Sequence, residues 1–388
     1  MPSGIWALGF VSLLSDIASE MIHSLLPIFM VSVLGASALT VGLMEGIAES
    51  TALMVRVFSG AMSDYLHKRK MLAVLGYGIG AISKPMFAIA STVGLVFVAR
   101  IFDRIGKGIR GAPRDALVAD IAPSTMLGAA FGLRQSLDTV GAFIGPLLAL
   151  VLMIFLGNSF RAVFWVAVIP GILSVVVLWL AVQEPKQSTK TKKINPIHWR
   201  ELQRLSMRYW WVVVIGGIFT LARFSEAFLL LRAQQMGLAI TWMPLILIAM
   251  NLIYSISAYP FGKLADMISH NKLLIIGLVI LIVADLMLAF GNSLTWVFIG
   301  VCLWGLHMGA TQGLLATMVA DTAPTDLRGT AFGFFSLLNG IAMLIASGIA
   351  GLLWDQLGSA FTFKTGALFC LLALLGIAIM PLMKFSSK

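Results

Sequence analysis

Residues 100–115, RIFDRIGKGIRGAPRD, put Arg100, Asp103, Arg104, Lys107, Arg110, Arg114 and Asp115 in the middle of an apolar stretch. At ~100° per residue these side chains fall within an arc of roughly 140°, with Ile101, Ile105 and Ile109 on the other face. Cations at this spacing suit charge-assisted binding of an anion. The first apolar stretch adds Ser12, Asp16, Ser19, Glu20 and His23. Spacings of three and four bring Asp16, Ser19 and His23 to one helical face. Carboxylates and an imidazole in an apolar setting are candidate proton carriers, since burial and nearby cations shift their titration in opposite senses. Further on, Arg134 and Asp138 stand one turn apart, a spacing that also suits a simple mutual pair, and Glu45, Glu49 and Arg56 add charge. The second half contributes Arg223, Glu226, Arg232, Asp285 and His307. A buried structural network, self-neutralised by Asp16, Glu20, Glu49, Asp103, Asp115 and Asp138, is the alternative to a functional cluster.

The elements that must carry these groups are membrane helices. The chain has 388 residues, 59% hydrophobic and 11% charged, a balance that excludes an ordinary soluble domain. A charge at the centre of a bilayer costs about 2.5–3.5 kcal/mol, so the ladder of residues 100–115 is expected to face a wet, protein-lined cavity. Twelve spans are predicted: 5–34, 39–63, 71–91, 94–121, 128–157, 161–183, 209–236, 240–262, 272–290, 294–321, 329–356 and 361–384. The net charge of +10 comes from Lys and Arg in alternate short loops, not from a nucleic-acid surface. That pattern predicts both termini on the cytoplasmic side of a bacterial-type inner membrane. Cys302 and Cys370 form no disulfide framework or metal-spacing motif. The N-terminus lacks the basic region and cleavage site of a removed signal and reads as the start of the first span.

The halves repeat. DIAPSTMLGAAFG at 120–132 matches DTAPTDLRGTAFG at 321–333, and Ser19-Glu20 matches Ser225-Glu226. The predicted organisation is a six-helix bundle over 1–183, a basic cytoplasmic linker over 184–208 and a second six-helix bundle over 209–388. Within the linker, HWRELQRL suits either a solvated tether or an amphipathic helix on the inner leaflet. Two equivalent six-span units are a transporter signature. Where span four carries its ladder, span ten carries Val301, Trp304, Gly305, Met308, Thr311, Leu315 and Ala316. A purely structural network gives less reason for loading one half only.

Over its whole length the chain resembles the major facilitator superfamily. Gly60, Asp64, Lys68, Arg69 and Lys70 after span two are similar to that family's loop signature, with His67 a departure, and Gly262 and Asp266 look like its degenerate second copy. Arg104, Lys107 and Gly108 resemble the Arg-x-x-Gln-Gly motif of span four, with Lys in place of Gln. Gly132, Gly141, Gly145 and Pro146 match the antiporter motif of span five, whose final Gly-Gly is Ala149-Leu150 here. The resemblance implies an all-α polytopic fold of twelve helices in two pseudo-symmetric bundles. It also implies a link between Arg104 and proton transfer, and gating roles for Gly60, Asp64, Arg69, Gly141, Gly145, Pro146 and Asp266.

The expectation is therefore a monomeric secondary transporter working by alternating access, with no cofactor and no enzymatic site; no ATP-binding Gly-rich loop is present. Asp16, Glu20, Arg104 and Asp138 are the expected proton-coupling residues. His23, Asp103, Lys107, Arg110, Arg114, Arg134, Arg223, Glu226, Trp304 and His307 are the expected substrate contacts. The expected substrate is an amphiphile with an anionic group, exported in exchange for protons. Transport of a metal ion or an anionic, siderophore-like chelate is the alternative reading, with Asp16, Glu20, His23 and the many Met residues as ligands. A non-transporting membrane sensor or scaffold is a more remote one.

Overall fold

A computed structural model describes the chain except for residues 67, 124–125, 185–204, 266, 312–313, 325–326 and 380–388, and except for the side chains at 61, 64, 128, 316, 320 and 328–330. Among the described residues it is all helix and turn. The helices are α1 (Ser3–His23), α2 (Leu26–Ser32), α3 (Ala38–Leu66), α4 (Arg69–Ile89), α5 (Val93–Ile121), α6 (Leu127–Phe155), α7 (Phe160–Ala181), α8 (Met207–Ala222), α9 (Ala227–Gln235), α10 (Pro244–Ala265), α11 (His270–Phe290), α12 (Leu294–Thr311), α13 (Leu314–Thr322), α14 (Arg328–Leu357) and α15 (Ser359–Ile379). Eleven segments among the described residues are long and apolar enough to cross a membrane. The 29-residue α5 has the length, but its charges keep it out of that set. With α5 the segments correspond to the twelve expected spans, because only a polar face turned from lipid lets such a helix cross.

The opening span of each half is broken. The first divides into α1 and α2 at Ser24-Leu25, where Pro27 in the first turn of α2 has no N–H to give. The seventh divides into α8 and α9 around Arg223–Glu226. Backbone groups freed inside a membrane need protein partners. At the second break Ser347 Oγ accepts from the Ser225 N–H at 3.3 Å, and Ser225 Oγ accepts from the Ala227 N–H at 3.2 Å.

The chain forms two compact units. The first comprises Met1–Ala36, Ile47–Asn195 and Ala239–Ile248; the second comprises Ser37–Gly46, Pro196–Leu238 and Ala249–Lys388. Each therefore takes a short segment from the other half of the sequence. Most of the expected linker, with its amphipathic stretch, lies outside the described residues. Within the first unit α1 packs on α6 and α7, and α4 packs on α5 and α7. Its apolar core includes Ile5, Leu8, Val11, Tyr77, Leu117 and Leu178.

Candidate functional site: a charged network with three uncompensated groups

Two backbone-to-backbone contacts bring the charged helices together. A Cβ added to Gly106 of α5 would lie 2.6 Å from the Gly76 carbonyl oxygen of α4, and one added to Gly76 would lie 2.7 Å from the Arg110 nitrogen. Likewise a Cβ on Gly145 of α6 would stand 2.9 Å from the Ile17 carbonyl oxygen, and one on Gly141 2.8 Å from that of Leu13. Only residues without a side chain let helices approach this closely. The result is that α5 and α6 present their polar faces directly to α4 and α1.

The deepest charges form a closed knot. Lys84 Nζ donates to Asp103 Oδ1 at 2.6 Å and to Ser19 Oγ at 3.0 Å; Lys84 and Asp103 are each 3% exposed. Arg104 Nε lies 3.3 Å from Asp103 Oδ2, and Arg100 at 3.9 Å completes the set of cations around that carboxylate. Arg104 also donates to Glu49 Oε1 at 2.8 Å, and Arg100 is 3.1 Å from His23 Nδ1. Charges removed from water persist only when paired this way. A second group lies further along α5. Arg114 reaches Asp115 at 3.1 Å and donates to Ser12 Oγ at 3.2 Å, Arg134 pairs with Asp138, and Arg56 meets Asp115 at 3.1 Å.

Between these groups three charges stay uncompensated. Among the described residues, Asp16, Lys107 and Arg110 make no ion pair or hydrogen bond. Arg110 is 5% exposed and stacks on Tyr77, its guanidinium carbon 4.6 Å from the ring centroid; Lys107 is exposed and Asp16 half-buried. Electrostatically Asp16 feels Asp138, Arg110, Lys107 and Arg114. The arrangement can attract an anion to two cations that no protein carboxylate has claimed.

This geometry sits within a match to the Major Facilitator Superfamily model over residues 8–347. The chain belongs to the major facilitator superfamily. It is similar to an MFS-type transporter of Methanocaldococcus jannaschii, 32% identical over 381 residues, covering 96% of this chain and 94% of the relative. It is similar to the multidrug resistance protein MdtH of Photorhabdus laumondii subsp. laumondii, 25% identical, covering 90% and 86%. Among solved structures it shares its fold with a POT family transporter in complex with 5-aminolevulinic acid, at TM-score 0.82 and 14% identity, covering 98% and 96%. This protein is accordingly a multi-pass membrane transporter of small molecules rather than an enzyme.

The superfamily's motif positions part company in this structure. Gly141 and Gly145 hold α6 against α1, and Gly145 adjoins Glu20, whose Cβ an added methyl would meet at 2.7 Å. Gly132 has open space, and a Cβ added to Gly60 would meet the Ala112 Cβ of α5 at an ordinary 3.4 Å. Pro146 lies inside the unbroken α6. Arg69 pairs with Asp120 at the end of α5 and donates to the Ala116 carbonyl at 3.3 Å. The Asp64 side chain and Asp266 lie outside the described residues. In the second unit Arg223 lies 5.8 Å over the Phe219 ring, and Glu226 begins α9 as its N-cap residue. Trp304 and His307 are enclosed: Trp304 packs 5.4 Å from Phe224, and His307 Nδ1 lies 2.8 Å from the Gly277 carbonyl oxygen. Tyr77 is the member of the site that the sequence did not point to; its position between Gly76 and Gly78 was the available signal.

Proposed function

We propose that this transporter moves an amphiphilic small molecule with an anionic group, coupled to protons, by alternating access. The reading rests on one observation: Lys107 and Arg110 are cations on the charged face of α5 without a carboxylate in contact. Cations already spent on Asp103, Glu49 and Asp115 have little to offer a ligand; these two have their charge to give. Asp16 supplies a carboxylate for the proton, with Glu20 and Asp138 near it, while Arg104 is held by Glu49 and Asp103. The Lys and Arg of alternate loops support both termini on the cytoplasmic side of a bacterial-type inner membrane; a monomer is part of the same proposal.

Thermal stabilisation of the purified protein by a panel of organic anions tests the reading. Wild-type protein should be stabilised, and Lys107→Ala/Arg110→Ala should lose that response while keeping its own melting temperature within a few degrees. An undiminished response in the double variant would remove the anion site. Direction of transport has a separate reading. Gly141 and Gly145 of the antiporter motif at the α1–α6 contact, together with the relative named as a multidrug resistance protein, support export in exchange for protons. Among the described residues no group of three or more His, Cys, Asp or Glu is gathered to hold a metal ion.

A further inference from the structure

We propose that Lys364, with Phe290 and Phe361, forms a site on the second unit for the headgroup phosphate of an anionic membrane lipid. The Lys364 ammonium lies between two phenyl rings. It is 4.7 Å from the ring centroid of Phe290, the last residue of α11, and 4.9 Å from that of Phe361 in the first turn of α15. The rings are 63% and 44% exposed. Exposed apolar side chains at the ends of membrane-spanning helices are covered by lipid. The occupant of this face is therefore a lipid, and what the side chains add is a choice among headgroups.

A buried arginine builds the cradle. Arg232 is 6% exposed. Its Nε donates to the Leu288 carbonyl and its Nη2 to the Gly291 carbonyl, each at 2.9 Å. Its Nη1 donates to Ser359 Oγ at 2.9 Å and to Gln235 Oε1 at 2.8 Å. The two carbonyls flank Phe290, and Ser359 opens α15 two residues before Phe361. Arg232 thus ties the end of α11 to the start of α15 and holds both rings in place around the Lys364 side chain. Each of these partners is neutral, so the guanidinium charge is not cancelled.

The charges at this end of the unit do not balance. Among the described residues, Lys364 makes no ion pair or hydrogen bond. Asp355, at the end of α14, is engaged elsewhere: Oδ1 accepts from the Ala38 N–H at 3.1 Å and Oδ2 from the Leu39 N–H at 2.9 Å. Lys364 also sits at the opposite end of α11 from Lys272, away from the basic loops, where the distribution of Lys and Arg disfavours a cation. The ring faces steady the ammonium, but its three N–H groups still call for oxygen acceptors. A zwitterionic headgroup carries its own ammonium beside its phosphate. An anionic headgroup brings a phosphate without one, and Lys364 supplies the missing charge. One lysine near the membrane surface favours an anionic lipid by about fivefold.

The test places the photo-crosslinking residue p-benzoylphenylalanine at Leu368, one turn along α15 from Lys364 and 54% exposed. Full-length protein is reconstituted in equal amounts of dioleoylphosphatidylglycerol and dioleoylphosphatidylcholine, and the lipid adducts are identified by mass spectrometry. With Lys364 intact, phosphatidylglycerol adducts should outnumber phosphatidylcholine adducts about fivefold. Lys364→Gln should bring the ratio close to one, and Lys364→Arg should keep the enrichment. A ratio near one with Lys364 intact overturns the proposal without reference to any substitution at that position. So does an enrichment that survives Lys364→Gln. Excess inorganic phosphate should leave the ratio unchanged; its collapse would assign the site to a free anion and overturn the lipid as its occupant. The anion site at Lys107 and Arg110 is untouched by any of these outcomes.

Discussion

Asp103 anchors the charged network, because one carboxylate answers Lys84 at 2.6 Å, Arg104 at 3.3 Å and Arg100 at 3.9 Å. Removing its charge takes a contacting carboxylate from three buried cations, Lys84, Arg100 and Arg104. Breaking a buried pair from one side costs about 3–5 kcal/mol. Asp103→Asn should therefore lower the melting temperature markedly, and a thermal shift assay on purified protein reads this directly. Lys107 and Arg110 offer the contrast at the same scale. Neither is in an ion pair, so their removal should spare the fold and abolish flux. A scaffold without transport would be indifferent to their loss.

At the scale of helices, the glycines decide what the charges can meet. Gly141 and Gly145 leave α1 and α6 touching at backbone distance, and Gly76 and Gly106 do the same for α4 and α5. Overpacking such contacts costs typically about 1–3 kcal/mol. Gly145→Ala and Gly106→Ala should each lower the melting temperature, and both should cut transport by displacing Asp16, Glu20 or Arg110. Gly132→Ala, drawn from the same motif as Gly145 but with nothing within 4 Å of an added Cβ, should leave the melting temperature unchanged or raise it slightly. Equal damage at Gly132 and Gly145 would show that helix packing is not what these residues supply.

For the whole molecule, the two units carry different burdens. The span-four ladder of the first has no counterpart in span ten, where Trp304 and His307 are enclosed among apolar side chains. The second unit holds an isolated acid instead: Asp285 is fully buried, and neither carboxyl oxygen has a hydrogen-bond partner among the described residues. Burying a polar group without a partner is a net cost. Asp285→Asn should therefore leave thermal stability unchanged or raise it, whereas Asp103→Asn should lower it, although both substitutions remove one buried carboxylate. A large fall for Asp285→Asn would reveal a partner and shift the proton pathway toward the second unit.

The amino-acid order alone determined that this chain is a twelve-span helical protein built as two related halves. It determined too that span four carries a charged face, because apolar run length, helical period and loop charge are local properties of a chain in a bilayer. Superfamily membership was legible for the same reason, in Arg104, Gly108, Gly141, Gly145 and Pro146. Tertiary structure decided how the ladder divides. Arg100, Asp103 and Arg104 are spent on Lys84, Glu49 and His23, Arg114 on Asp115, while Lys107, Arg110 and Asp16 are left over. No spacing rule separates Arg104 from Lys107, since both lie on one helical face. What separates them is which side chain of another helix comes within about 3 Å, and that depends on backbone contacts such as Gly76–Gly106 between segments far apart in the sequence.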